Sequence, residues 1–174
     1  ANRTLVLDGI NKILRAQGRP ELSYGEKLGG GQTAMVWEVT GAESESVIRI
    51  SHITSAYSAT SKWNLMMSEL GDKLQTDMYD DENQFVPQIF DSWTFGLMGS
   101  TDFVRVTLME KRPVFDMGSH EIQHIVSQNY AVFKSLMDRS ISFFKFVRER
   151  YEGMREYERL LIDDRKTDNI SFLW

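Results

Sequence analysis

The sequence predicts an α+β fold: a five-stranded antiparallel sheet with one helix, followed by a mostly helical part. Three observations lead there. Residues 22–51 alternate apolar and polar side chains between glycine-rich turns, residues 60–75 carry a helical apolar stripe, and the spacing from Ser119 onward is helical. Strands and helices segregate along the chain, which argues against a doubly wound parallel sheet.

The elements follow in order. Residues 4–17 place Val6, Ile10, Ile13 and Leu14 on one helical stripe, and Gly18 and Pro20 stop it. Leu22–Leu28, Ala34–Val39 and Val47–Ser51 read as three antiparallel strands, separated by Gly29-Gly30-Gly31 and by the turn 41–46. In the helix at 60–75, Trp63, Met66, Met67, Leu70 and Leu74 share one face, predicted to pack on the sheet. Phe85–Phe95 and Phe103–Glu110 are two further strands around Gly96–Thr101, and Pro113 closes that half. One helix is expected from Ser119 to about Met137 and a second from Ile141 toward Tyr157, with a break near Asp138–Ser140. The stripe Phe133, Met137, Ile141, Phe144, Val147, Tyr151, Met154 keeps helical spacing. The expected organisation is a helix over 1–20, a sheet-bearing lobe over 21–112 and a helical part over 113–174.

A chain of 174 residues is long enough to bury a core without staples, and it contains no cysteine for disulfides or thiol chemistry. No apolar run reaches the ~18 residues of a membrane span, and the first residues lack a secretory pattern, so a cytoplasmic protein is expected. The net charge of −5 argues against direct nucleic-acid binding. That acidity is local: residues 69–82 hold six acids and one lysine, in a spacing that fits no calcium loop.

Two stretches carry candidate chemistry. In Leu28-Gly29-Gly30-Gly31-Gln32-Thr33-Ala34-Met35-Val36, glycines between two strands allow backbone to approach a phosphate closely, and Val36 is placed to pack on a base. No Gly-Lys-Ser/Thr follows, so this is not a Walker loop. Near the end, Asp163-Asp164-Arg165-Lys166-Thr167-Asp168-Asn169-Ile170 contains D-x-K-x-x-N. Between them lie a strand with a cation, Val47-Ile48-Arg49-Ile50, a helix with Glu69, and a strand ending in Leu108-Met109-Glu110-Lys111.

In that order these motifs resemble the protein-kinase family over about residues 22–174. The compact spacing and the run Val86–Asp91 are most similar to the small early protein kinases of T7-like phages. The resemblance implies a two-lobed fold, binding of ATP and magnesium, and phosphoryl transfer to Ser or Thr of a host protein. It implies that Gly29, Gly31, Ala34 and Val36 cover the nucleotide, that Arg49 stands in the lysine position and pairs with Glu69, and that Glu110 lies at the adenine-reading hinge. Asp164 would then be the catalytic base, Lys166 would steady the phosphate and Asn169 would hold magnesium.

The departures are specific. Arginine replaces the strand lysine, Ile162 and Asp163 fill the histidine and arginine slots before Asp164, and no D-F-G follows Asn169 within the 174 residues. Phosphoryl transfer is therefore expected if the natural chain continues and supplies the second metal ligand. Otherwise the expectation is a pseudokinase-like module that binds and inhibits a partner protein.

A competing motif is His120-Glu121-Ile122-Gln123-His124, the H-E-x-x-H of zinc peptidases, with Glu149 or Glu152 as the third ligand. It sits at a helix start after Gly118-Ser119, and Ile122, Ile125 and Val126 point away from both histidines, which favours a solvent-facing turn.

Overall fold

The computed structural model describes residues 2–31, 34–55, 59–112 and 119–155. The order is α1 (Asn2–Ala16), β1 (Ser23–Gly30), β2 (Ala34–Thr40), β3 (Ser46–Ile53), α2 (Ser61–Met78), β4 (Ile89–Gly96), β5 (Phe103–Glu110), α3 (His120–Gln128) and α4 (Tyr130–Glu152). The fold is α+β, with a five-stranded antiparallel sheet in the order β1-β2-β3-β5-β4. A single helix between β3 and β4 lies against β3, β4 and β5, as the sequence pattern predicts. The chain divides into two compact units, Ala1–Tyr79 with Val86–Lys111, and Asp80–Phe85 with the chain from Arg112 on.

In the first unit the centre of the sheet is covered on both faces, whereas β1 is largely exposed, and strand alternation decides what each face contains. Ile48, Ile50, Trp93, Val104, Val106 and Leu108 meet Leu7, Ile10 and Leu14 of α1 in one apolar core. Ile10 and Val106 are fully excluded from solvent. Asn11 fastens α1 to the start of β1, donating to the Leu22 carbonyl at 2.8 Å and accepting from the Leu22 N–H at 2.8 Å. Gly41 adopts φ +94° where a Cβ would lie 2.2 Å from the Glu21 carbonyl oxygen, so no larger residue fits that turn.

On the other face α2 does not bury the stripe its periodicity suggests. Leu74 is buried, but Trp63 and Met66 are about half exposed, and the buried set includes Ser61 and Asp72. The opposing sheet face explains the rotation: its centre carries Arg49, Arg105 and Thr107, which demand a carboxylate rather than methionines. Thr60 caps α2, accepting from Trp63 N–H at 3.1 Å.

The strand expected from Phe85 begins at Ile89. Pro87 has no N–H for a ladder. Phe85 belongs instead to the second unit, where its ring meets Phe143 and Phe146 at 5.5 and 5.1 Å and Arg139 lies over it at 4.4 Å. Before it, Asp80 closes a turn, accepting from the Glu82 N–H at 2.8 Å and the Asn83 side chain at 2.9 Å. These bonds, that from Glu82 first, hold its carboxyl below the ordinary range.

The helix break falls at Asn129, not near Asp138–Ser140. Asn129 caps α4, accepting from Val132 N–H at 3.3 Å. Ser140 and Ser142 return their hydroxyls to the carbonyls four residues back, so neither interrupts the helix. Gly153 ends α4. Its predicted stripe divides: Val147 is buried, whereas Phe133, Met137, Ile141 and Phe144 remain 43–47% exposed. Leu136, Phe143 and Phe146 supply the covered stripe beside it. No described helix is long and apolar enough to cross a membrane.

The α1 core yields one expectation. Ile10→Ala should lower unfolding free energy by about 2–5 kcal/mol, because it opens a cavity under a fully covered strand. Leu5→Ala, on the exposed side of α1 at 69% exposure, should stay within about 0.5 kcal/mol. Urea unfolding followed by tryptophan fluorescence measures both.

Candidate functional site

The register of the sheet brings distant residues into one line. Gly29 pairs with Val36, Val36 with Arg49, Arg49 with Thr107, and Thr107 with Ser92. Directly paired residues share a face, so this transverse row lies on the side covered by α2. The adjacent row runs through Ala34, Ser51, Arg105 and Thr94, and the Gly31 N–H donates to the Ala34 carbonyl at 2.8 Å.

Glycine at positions 29 and 31 is not required by the protein's own packing. Neither has a left-handed φ, and a Cβ built at either meets no atom of the described residues within 4 Å. Gly30, by contrast, has Lys27 and Met35 in ordinary contact. Among the described residues, therefore, nothing packs against the bare backbone of Gly29 or Gly31. Gln32 and Thr33 lie outside the described residues.

Arg49 does pair with an acid on α2, but the acid is Asp72 and not Glu69. Arg49 Nη2 donates to Asp72 Oδ1 at 2.6 Å. Glu69, one turn earlier, is half exposed and lies 3.6 Å from Arg105 Nη1. The reason is depth: helical residues three apart share a face, yet only Asp72 lies beneath the sheet, with its side chain 6% exposed.

Asp72 is the hub of a larger network. Its Oδ2 accepts from Arg105 Nε at 2.8 Å and from the Thr107 hydroxyl at 3.0 Å. Arg105 spreads its other donors over β4, to Thr94 at 2.9 Å and Ser92 at 3.2 Å. Two guanidiniums and two carboxylates balance in charge, and the buried members are hydrogen-bonded, which is the condition for burying them at all. Sequence reasoning missed Asp72, Arg105 and Thr107. The available signal was the polar alternation of Arg105 and Thr107 within an otherwise apolar strand.

At the hinge-like end of β5, the Glu110 N–H donates to the Gln88 carbonyl at 2.9 Å and the Lys111 N–H to the Glu45 carbonyl at 3.0 Å. Those two donors are spent inside the sheet and are not offered to an adenine. Lys111 reaches Glu38 at 2.8 Å, and this hydrogen bond holds its ammonium above the ordinary lysine range against partial desolvation.

Ile162, Asp163, Asp164, Lys166 and Asn169 lie outside the described residues. His120, Glu121 and His124 occupy the exposed first turns of α3, which Ser119 caps by accepting from Ile122 N–H at 3.3 Å. Among the described residues no three His, Asp or Glu side chains are gathered for a metal, so neither Glu149 nor Glu152 completes a set with the two histidines. His52 has a carboxylate neighbour, Asp102, at 3.7 Å.

Neither a protein-family model nor a curated protein matches the chain. Among solved structures, the ROP18 kinase domain in complex with AMP-PNP and sucrose is similar at 15% identity and a TM-score of 0.36. That likeness covers 63% of this chain and 41% of the other, so this chain spans less than half of that structure's length.

The network separates its two acids. Asp72→Ala should cost about 3–5 kcal/mol by stranding buried guanidinium charge, while Glu69→Ala should cost under about 1 kcal/mol; chemical denaturation distinguishes them. A pH dependence follows from Lys111. Its folded pKa is raised, so its contribution is present below the ordinary lysine pKa and lost as pH climbs through the higher folded value. Glu38→Gln should remove that alkaline loss from a plot of unfolding midpoint against pH.

Proposed function

We propose that this chain binds ATP on the α2 face of its sheet and is the nucleotide-binding part of a kinase-like phosphoryl-transfer protein. The observation that supports this most is the row Gly29, Val36, Arg49, in which a glycine without a described packing role, an apolar side chain and a cation share one sheet face. Each has a use toward a nucleotide. The open backbone at Gly29 and Gly31 admits phosphates without a Cβ in the way. Val36, partly exposed and continued by the buried Val47 and Met109 two residues along on the same face, offers an apolar edge to a base. Arg49 supplies positive charge to the phosphates.

Bound ATP supplies the transferable phosphoryl group, and magnesium would be held through Asn169. In this reading Asp164 takes the proton of a Ser or Thr hydroxyl on a protein substrate, and Lys166 neutralises charge on the moving phosphate. The phage-kinase resemblance makes that substrate a host protein.

The decisive experiment pairs stability with binding. Gly29→Ala/Gly31→Ala should leave the thermal midpoint unchanged or slightly higher, since neither methyl meets an atom of the described residues and both restrict the unfolded chain. The same protein should bind ATP at least about tenfold more weakly in calorimetric titration, the loss expected when about 1.4 kcal/mol of contact is removed. Unchanged affinity, or no ATP binding by the parent protein, overturns the proposal. Radiolabelled phosphate transfer that disappears in Asp164→Ala would establish the reaction. Binding without transfer would instead support a module acting through protein association.

A further inference from the structure

We infer that Arg105 is a positioning residue: it holds Asp72 so that Arg49 can be released toward an anionic ligand at the β1–β2 glycine turn. The identity of the ligand rests on the ATP reading above, whereas the division of labour between the two arginines rests on the network itself.

The two guanidiniums are unequally committed. Arg105, with a side chain 10% exposed, bonds Asp72, Thr94 and Ser92 and has Glu69 at 3.6 Å. Arg49, with a side chain 35% exposed, makes one described hydrogen bond, to Asp72 Oδ1. A guanidinium carries five N–H donors, so most of those on Arg49 remain for another acceptor. Arg49 also stands one strand from Val36 and two from Gly29, roughly 10 Å at ordinary strand spacing, within reach of its long side chain and a phosphate between them.

A buried carboxylate served by a single cation cannot surrender it, because the charge left behind is uncompensated. Asp72 is not in that position. If Arg49 turns away, Oδ2 keeps Arg105 and the Thr107 hydroxyl. The second arginine therefore keeps the buried charge compensated and lowers the penalty for moving the first, leaving only the Oδ1 hydrogen bond to be given up. A guanidinium held by one Nη can keep its Asp72 contact or give it up, whichever the ligand's position requires. The charge balance agrees. With Arg49 assigned to phosphate, Arg105 still neutralises Asp72, and Glu69 is half exposed and solvated.

The test uses Arg49→Met, Arg105→Lys, and Arg105→Lys combined with Asp72→Asn, in the full chain. Arg49→Met should keep the ligand-free thermal midpoint within about 2 °C of the parent, a small fraction of what stranding a buried charge produces, and weaken ATP binding about tenfold or more. Arg105→Lys keeps the charge but loses the fan over Ser92 and Thr94. It should lower the midpoint by several degrees and also weaken ATP binding, because an ammonium no longer fixed by Ser92 and Thr94 does not hold Oδ2 in place and Asp72 then depends on Arg49. Adding Asp72→Asn removes that hold and should return ATP affinity to within about threefold of the parent, which a merely structural role for Arg105 would not do. Parent-like ATP affinity in Arg105→Lys, or no recovery in the double variant, overturns the inference. So does a midpoint loss in Arg49→Met as large as that in Arg105→Lys, and this arm needs no ligand. Absence of ATP binding by the parent refutes the nucleotide reading and the release of Arg49 with it, while the midpoint comparison still decides which arginine anchors Asp72.

Discussion

The burial of Asp72 beneath the sheet sets the geometry of the first unit. A carboxylate removed from water must be met by donors, and here they come from β3 and β5, while Arg105 extends the network to β4. The carboxylate therefore fixes the rotation of α2 about its own axis and its position along the strands. Apolar packing alone would tolerate slippage by a turn, because Met66, Met67 and Leu70 are interchangeable in such a contact. The ionic network does not tolerate it, since a slip strands the buried Arg105 guanidinium and the Asp72 carboxylate.

That constraint has a counterpart on the opposite face. β5 is covered on both sides, yet its two faces differ chemically: Val104, Val106 and Leu108 point to α1, Arg105 and Thr107 to α2. The apolar side supplies most of the driving force, through burial of side chains that water would otherwise surround. The polar side contributes less net stability and more specificity, because its bonds are directional and demanding. The candidate site lies on that polar side, where a cation is held half exposed beside open glycine backbone.

In the second unit the same residues serve different ends. Asn129 ends α3 and begins α4, and Phe85 packs on Phe143 and Phe146 where a strand was expected. α4 is apolar over adjacent stripes, of which one is covered and the other holds Phe133, Met137, Ile141 and Phe144 at the surface. Periodicity identifies such a helix but cannot say which stripe its neighbours will take.

The sequence by itself determined the five strands, the helix between the third and fourth, and the positions of the glycine turn and the cation strand. These are local matters, set by alternation, by glycine and proline, and by helical spacing. It did not determine which acid meets Arg49. Glu69 and Asp72 are three residues apart on one helical face, and only the depth of the helix against the sheet separates them. Nor could it show that Gly29, Val36, Arg49 and Arg105 gather on one face, because strand register depends on pairing across the whole sheet. The break at Asn129 was missed for the same kind of reason. Ser140, at the expected break, looks like a helix breaker in a linear reading, but in the folded chain its hydroxyl bonds backward and the helix continues.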